Sequence, residues 1–107
     1  MDRLEYFKNL LEKSPNNPML NYSLALEYYK LGNYQKTVEY MTAYLSLKED
    51  EGAGYRVLAQ CYEELGEYQK AIEALQEGIQ KATKHNHPSM VEEFKTWIER
   101  LQHLQSF

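Results

Sequence analysis

Displacing the chain by 34 residues lays Leu24, Ala25, Tyr28, Leu31, Gly32, Tyr34, Gln35, Lys36 and Glu39 on Leu58, Ala59, Tyr62, Leu65, Gly66, Tyr68, Gln69, Lys70 and Glu73. These nine identities fall in one register without a gap, where ordinary residue frequencies would give about two. Val38 over Ile72, Met41 over Leu75 and Leu45 over Ile79 continue the match in apolar character. An internal period of this length constrains the fold more than any other feature. Each period is a unit too small to bury its own apolar face, and neighbouring units must stack to do so.

Each unit reads as two helices. Pro18 suits the first helical position and Asn17 a cap before it. Leu20, Leu24, Tyr28 and Leu31 follow at helical spacing. Gly32 supplies the left-handed residue that ends a helix. Asn33 then stands where the next helix needs a cap, and Tyr34, Val38, Met41 and Leu45 form that helix's apolar face. The second unit repeats the plan with Tyr55, Leu58, Tyr62, Leu65, Gly66, Tyr68, Ile72, Leu75 and Ile79, and Asp50-Glu51-Gly52 is the turn between units.

This pattern resembles the tetratricopeptide repeat. Ala25 and Ala59 match its first small position, Tyr28 and Tyr62 its aromatic position, Gly32 and Gly66 its turn, Tyr34 and Tyr68 the tyrosine after it, and Ala71 the next small position. Thr37 departs mildly there. Tyr44 and Gly78 replace the usual alanine further on, and Glu49 and Thr83 replace a common final proline. Tyr44 puts a ring where two helices should approach closely, so a locally wider crossing is expected. The resemblance implies an all-α fold of antiparallel helix-hairpin repeats, a right-handed α-solenoid of about six helices. One domain over 1–107 is expected: a half repeat over 1–17, repeats over 18–51 and 52–85, and a capping helix over 86–107. Leu4, Phe7, Leu10 and Leu11 are the apolar face of the half repeat. Met90, Val91, Phe94, Trp97, Ile98, Leu101 and Leu104 form one stripe on the last helix, with Glu92, Glu93, Lys95, Glu99, Arg100 and Gln102 opposite. An amphipathic end helix of this kind covers the open face of a stack.

The resemblance also implies a non-catalytic protein-interaction module or scaffold that takes a peptide segment or a helix in a concave groove lined by the first helices of the units. The positions facing that groove are Met19, Tyr22, Ser23, Leu26, Tyr29 and Lys30 in one unit, and Ala53, Arg56, Val57, Gln60, Glu63 and Glu64 in the next. Core letters repeat between units while these diverge. Tyr22, Leu26 and Tyr29 make a continuous stripe, and tyrosine suits recognition because a rigid ring buries much area at low entropy cost. The expected partner-binding set is Tyr22, Leu26, Tyr29, Lys30, Arg56, Val57 and Gln60. An alternative reading has the stripe packing against the half repeat. The Lys, Arg and Asn set with which some relatives grip chaperone C-termini is absent, and Glu63 and Glu64 oppose an acidic ligand.

Other classes find little support. A net charge of −4 without a Lys/Arg cluster argues against nucleic acid. No apolar run reaches a bilayer-spanning length, and the N-terminal letters lack a signal pattern. A single cysteine suits a reducing compartment, and a cytoplasmic location is expected. Cys61 reads as a small buried thiol, since no histidine neighbours it in sequence. His85 and His87 read as solvated turn residues rather than metal ligands. Glu63-Glu64 and Glu92-Glu93 diverge by about 100° on a helix and read as solvated faces. No catalytic residue, metal or cofactor is expected. Besides a protein or peptide partner, the remaining possibility is a homo-oligomer through the end helices, where Trp97, Leu104 and Phe107 stand.

Overall fold

The computed structural model describes residues 2–107. Met1, which opens the expected half repeat, lies outside the described residues. The described residues hold six helices and no strand, and the fold is the all-α, tetratricopeptide-like one. The helices gather into two compact units, one ending at Glu49 and the other running from Asp50 to Phe107.

The first unit holds α1 (Arg3–Lys13), α2 (Pro18–Lys30) and α3 (Tyr34–Leu47), with α2 packed against both α1 and α3. Its boundaries follow from local chemistry. Asp2 caps α1 by accepting from the Glu5 amide. Asn17 Oδ1 accepts from the amides of Met19 and Leu20, and Pro18 takes the first helical position. The buried Asn21 side chain donates back to the carbonyls of Pro15 and Asn17, which ties the preceding turn to the helix. Gly32, at φ +74°, ends α2. The Gly32 amide donates to the Tyr29 carbonyl and the Asn33 amide to the Tyr28 carbonyl, the paired bonds of a glycine-terminated helix. Asn33 then caps α3 through the Lys36 amide. Leu24, Ala25, Thr37 and Met41 have no exposed surface. Thr37 fits because its hydroxyl donates to the Asn33 carbonyl one turn back, leaving no buried polar atom unpaired.

The second unit holds α4 (Ala53–Glu64), α5 (Tyr68–Lys84) and α6 (Pro88–Gln105), with α5 packed against both α4 and α6. The turn after α4 repeats the turn after α2: Gly66 has φ +74°, and the Glu67 amide donates to the Tyr62 carbonyl. The turn after α5 uses the same bonds without glycine. Asn86 holds φ +62° while the His87 amide reaches the Ala82 carbonyl. Asparagine tolerates this region better than other non-glycine residues. The α4 start differs from the α2 start. Gly52 has no side chain to cap with, and the buried Asp50 substitutes by accepting from the amides of Gly52 and Gly54. The core is Ala59, Cys61, Ala71, Leu75, Ala82, Phe94 and Leu101.

The two departures at equivalent repeat positions are built in opposite ways. Tyr44 is 6% exposed and lays its ring on Tyr22, centroids 4.9 Å apart. Gly78 leaves a notch on α5 that Phe94 of α6 occupies. A β-carbon at 78 would sit 2.7 Å from the Phe94 ring and 3.0 Å from the β-carbon of Tyr55. Gly78 is thus required by close approach, not by its backbone conformation.

Candidate functional site

The outward strip of α2 is set by helical spacing and by what its other faces touch. Tyr28 stacks on Tyr40 of α3 at 5.7 Å and 6° between planes, with the Lys8 ammonium of α1 over the Tyr28 ring. Glu27 turns to α1 and accepts from Arg3 at 2.9 Å. Between these faces run Met19, Tyr22, Leu26, Tyr29 and Lys30. Met19 is 50% exposed and Tyr29 36%, while Tyr22 and Leu26 are half-buried. Tyr22 is held by Tyr44 and Tyr29 by Tyr34, ring centroids 5.9 Å apart in the second pair. The rings are therefore fixed by packing on α3 while the strip stays open to solvent. α1 meets α2 at Glu27, through Arg3, and at the Tyr28 ring, through Lys8.

Charge lies at both ends of the strip. Lys48, just beyond α3, places its ammonium 3.9 Å from the Met19 sulfur. No carboxylate pairs with Lys48 among the described residues. At the far end Lys30 reaches Glu27 at 3.3 Å, so Glu27 serves two cations at once. The Arg3 guanidinium, with Lys30 behind it, holds the Glu27 carboxyl below its ordinary pKa.

The residues expected at the equivalent place in the second unit are engaged with their own unit. Arg56 makes a two-pronged contact with Glu93 of α6, at 2.8 and 2.7 Å, and its guanidinium lies 5.5 Å from the Phe94 ring centre. Glu63 accepts from Trp97 Nε1 at 2.7 Å and from Arg100 Nη1 and Nη2 at 2.8 and 2.9 Å. Arg100 first and Trp97 second keep the Glu63 carboxyl below its ordinary pKa, and Arg56 does the same for Glu93. Val57 is half-buried, and half-buried Gln60 reaches Glu64 at 3.5 Å. Glu63, Glu93 and Arg100 are thus bonds between α4 and α6, not merely a solvated face. Bidentate geometry brings these pairs together across 37 positions of sequence, a spacing that no local pattern displays.

His87 also does more than the solvated turn residue expected. His87 Nε2 lies 2.6 Å from Glu51, which ties the start of α6 to the loop before α4. His87 holds the Glu51 carboxyl below its ordinary pKa. Beside it is a hollow of about 360 Å³ lined by Arg56, His87, Ser89, Met90 and Glu93, whose two opposite charges already satisfy each other. Cys61 is buried on α4. No group of three or more His, Cys, Asp or Glu side chains suited to a metal converges among the described residues. None of the described helices is long and apolar enough to cross a membrane. Sequence reasoning missed Lys48, Asp50 and the α4–α6 bonds. Only Asp50 had a local signal, an acid two residues ahead of a glycine-led helix start.

Comparison with known proteins bears on the fold and the family. The solution structure of protein BPP2914 from Bordetella parapertussis superposes with a TM-score of 0.79, covering 99% of this chain and 92% of that one. At 17% identity the likeness is one of fold alone. The family model described as anaphase-promoting complex, cyclosome, subunit 3 matches residues 2–78, the stretch from the start of α1 to the middle of α5. The repeat register, the glycine-terminated hairpins and this match together place the chain in the anaphase-promoting complex, cyclosome, subunit 3 family of tetratricopeptide-like repeat proteins.

Proposed function

We propose that the chain is a non-catalytic docking module that binds a protein segment on the outward strip of α2. Repeats of this type act in general as protein-interaction modules. The observation that carries the narrower reading is the half-exposed Met19 and the exposed Tyr29 on a helix whose other faces are packed. Recognition surfaces favour rings and thioethers that are already held in place, because less freedom is lost on binding. Tyr22, Leu26, Tyr29 and Lys30 form the core of the surface. Arg56, Val57 and Gln60 belong to it more weakly, since Arg56 must first leave Glu93. Such a surface works by shape and area and turns nothing over, which suits a cytoplasmic scaffold.

The test is affinity capture with the wild type and a Leu26→Ser, Tyr29→Ala double variant, folding being checked by circular dichroism. Loss of most of the specifically recovered partner from the folded variant supports the reading, and equal recovery removes the α2 strip from it. A second reading has one observation in its favour. Phe107 is 89% exposed and Leu104 37% at the end of α6, so copies of the chain could pair through that end. Sedimentation at high concentration separates the two: an invariant monomer mass excludes pairing.

A further inference from the structure

The two ends of the α2 strip carry the same sign of charge in a chain whose net charge is −4. Through Glu49 the chain has six Lys/Arg and six Asp/Glu, and from Asp50 onward six and ten, so the whole excess of acid belongs to the second unit. Within the neutral first unit, Lys48 stands against Met19 with no carboxylate partner among the described residues. At the other end Arg3 and Lys30 share one Glu27, which leaves a net positive charge there. Both Lys30 and Lys48 are exposed. Between these ends lie Tyr22, Leu26 and Tyr29, with the small Ser23 beside them.

We infer that the strip takes a peptide segment with an apolar middle and a carboxylate side chain at each end. This deepens the α2 docking reading above and rests on it. The helix rises about 1.5 Å per residue, so Met19 and Lys30 are about 16 Å apart along α2. An extended segment covers that span in about five residues at roughly 3.3 Å each. The matching ligand carries Asp or Glu about five positions apart, with apolar side chains between them for the Tyr22–Tyr29 strip. The apolar middle supplies buried area, and the terminal pairs set orientation and reject basic segments. The unit from Asp50 onward is a poorer site for such a ligand, because Arg56 holds Glu93 through two short bonds, whereas Lys30 makes a single longer contact with a Glu27 that Arg3 also serves.

The test uses the full chain and three labelled synthetic peptides sharing one Leu/Phe middle, with binding read by fluorescence anisotropy. One peptide has Glu at both ends about five residues apart, one has Lys at those places, and one has both Glu side by side at one end. The spaced acidic peptide should bind at least about fivefold more tightly than the other two, and the preference should shrink as salt rises. Lys48→Glu and Lys30→Glu, at exposed positions, should each weaken the spaced acidic peptide several-fold. The double reversal should favour the Lys-ended peptide. Equal binding of all three peptides, insensitive to salt and to Lys48→Glu, overturns the charge inference. If Tyr29→Ala still weakens all three equally in that case, the apolar docking reading stands without it. No binding of any peptide also overturns the inference, while the docking reading is then decided by the capture experiment.

Discussion

The two units share their turn glycines and most of their core letters, yet they close their helix seams by different chemistry. The first unit carries seven of the ten tyrosines, and its α2–α3 seam is zipped by three ring pairs, Tyr22–Tyr44, Tyr28–Tyr40 and Tyr29–Tyr34. The second unit puts Arg56 where the first has Tyr22, and Gly78 where the first has Tyr44. It fills the notch with Phe94 from α6 and bolts α6 to α4 by the Arg56–Glu93 and Glu63–Arg100 pairs. A seam closed by its own rings leaves the outer helix face open. A seam closed by an added helix consumes that face. The same repeat position therefore meets a ring of the next helix in one unit and a carboxylate of α6 in the other.

Emptying the notch tests this contrast most severely. Phe94→Ala should cost about 3–5 kcal/mol in urea denaturation, because a fully buried ring leaves a cavity on a glycine surface that cannot supply atoms to refill it. A loss below about 1 kcal/mol would mean that Phe94 is not what closes the second unit. Gly78→Ala should cost about 1–3 kcal/mol. The added methyl meets Phe94 and Tyr55, which outweighs the roughly 1 kcal/mol that alanine gains over glycine in a helix. In a Phe94→Ala background the same change should become neutral or favourable, and the two costs should fail to add.

The ion pairs come next. Glu63 and Glu93 have folded-state pKa values below the ordinary carboxylate range, caused first by Arg100 and Arg56 respectively. Their stabilisation is complete above the unfolded value of about 4.3 and disappears as pH falls through the lower folded values. Both pairs are partly exposed, so each is worth up to about 1 kcal/mol. The urea midpoint should drop as pH is lowered from about 5 into the acid range, and Glu63→Gln should flatten that drop while lowering the midpoint near neutrality. A wild-type midpoint that does not change over this range would show that the pairs do not hold α6.

The smallest effects concern the turns. Gly32→Ala meets no neighbour but must hold φ +74°, so it should cost about 1 kcal/mol. Asn86→Gly should gain at most a few tenths of a kcal/mol, since asparagine at φ +62° pays only a mild penalty. A larger gain at 86 would make the α5–α6 turn a strained joint and distinguish it further from its two glycine counterparts.

The 34-residue register was enough to locate the hairpins, because their ends depend on local chemistry. Asn17 and Asn33 reach amides two or three residues away, and Gly32 and Gly66 need only their own backbone freedom. Burial of Tyr28, Leu58, Ala59, Cys61 and Leu75 was likewise legible from periodicity. So was the likeness to tetratricopeptide repeats. Four facts were not legible, and each joins side chains far apart in sequence: Phe94 in the Gly78 notch, Glu93 on Arg56, Trp97 and Arg100 on Glu63, and Lys48 beside Met19. Helical phase says which way a residue points, but not what meets it there. By itself the sequence determined the helices, their turns and the repeat, since these rest on contacts within a few residues. The tertiary structure alone decided which polar faces are open, because a charge is free or spent according to the distant partner that packing brings to it.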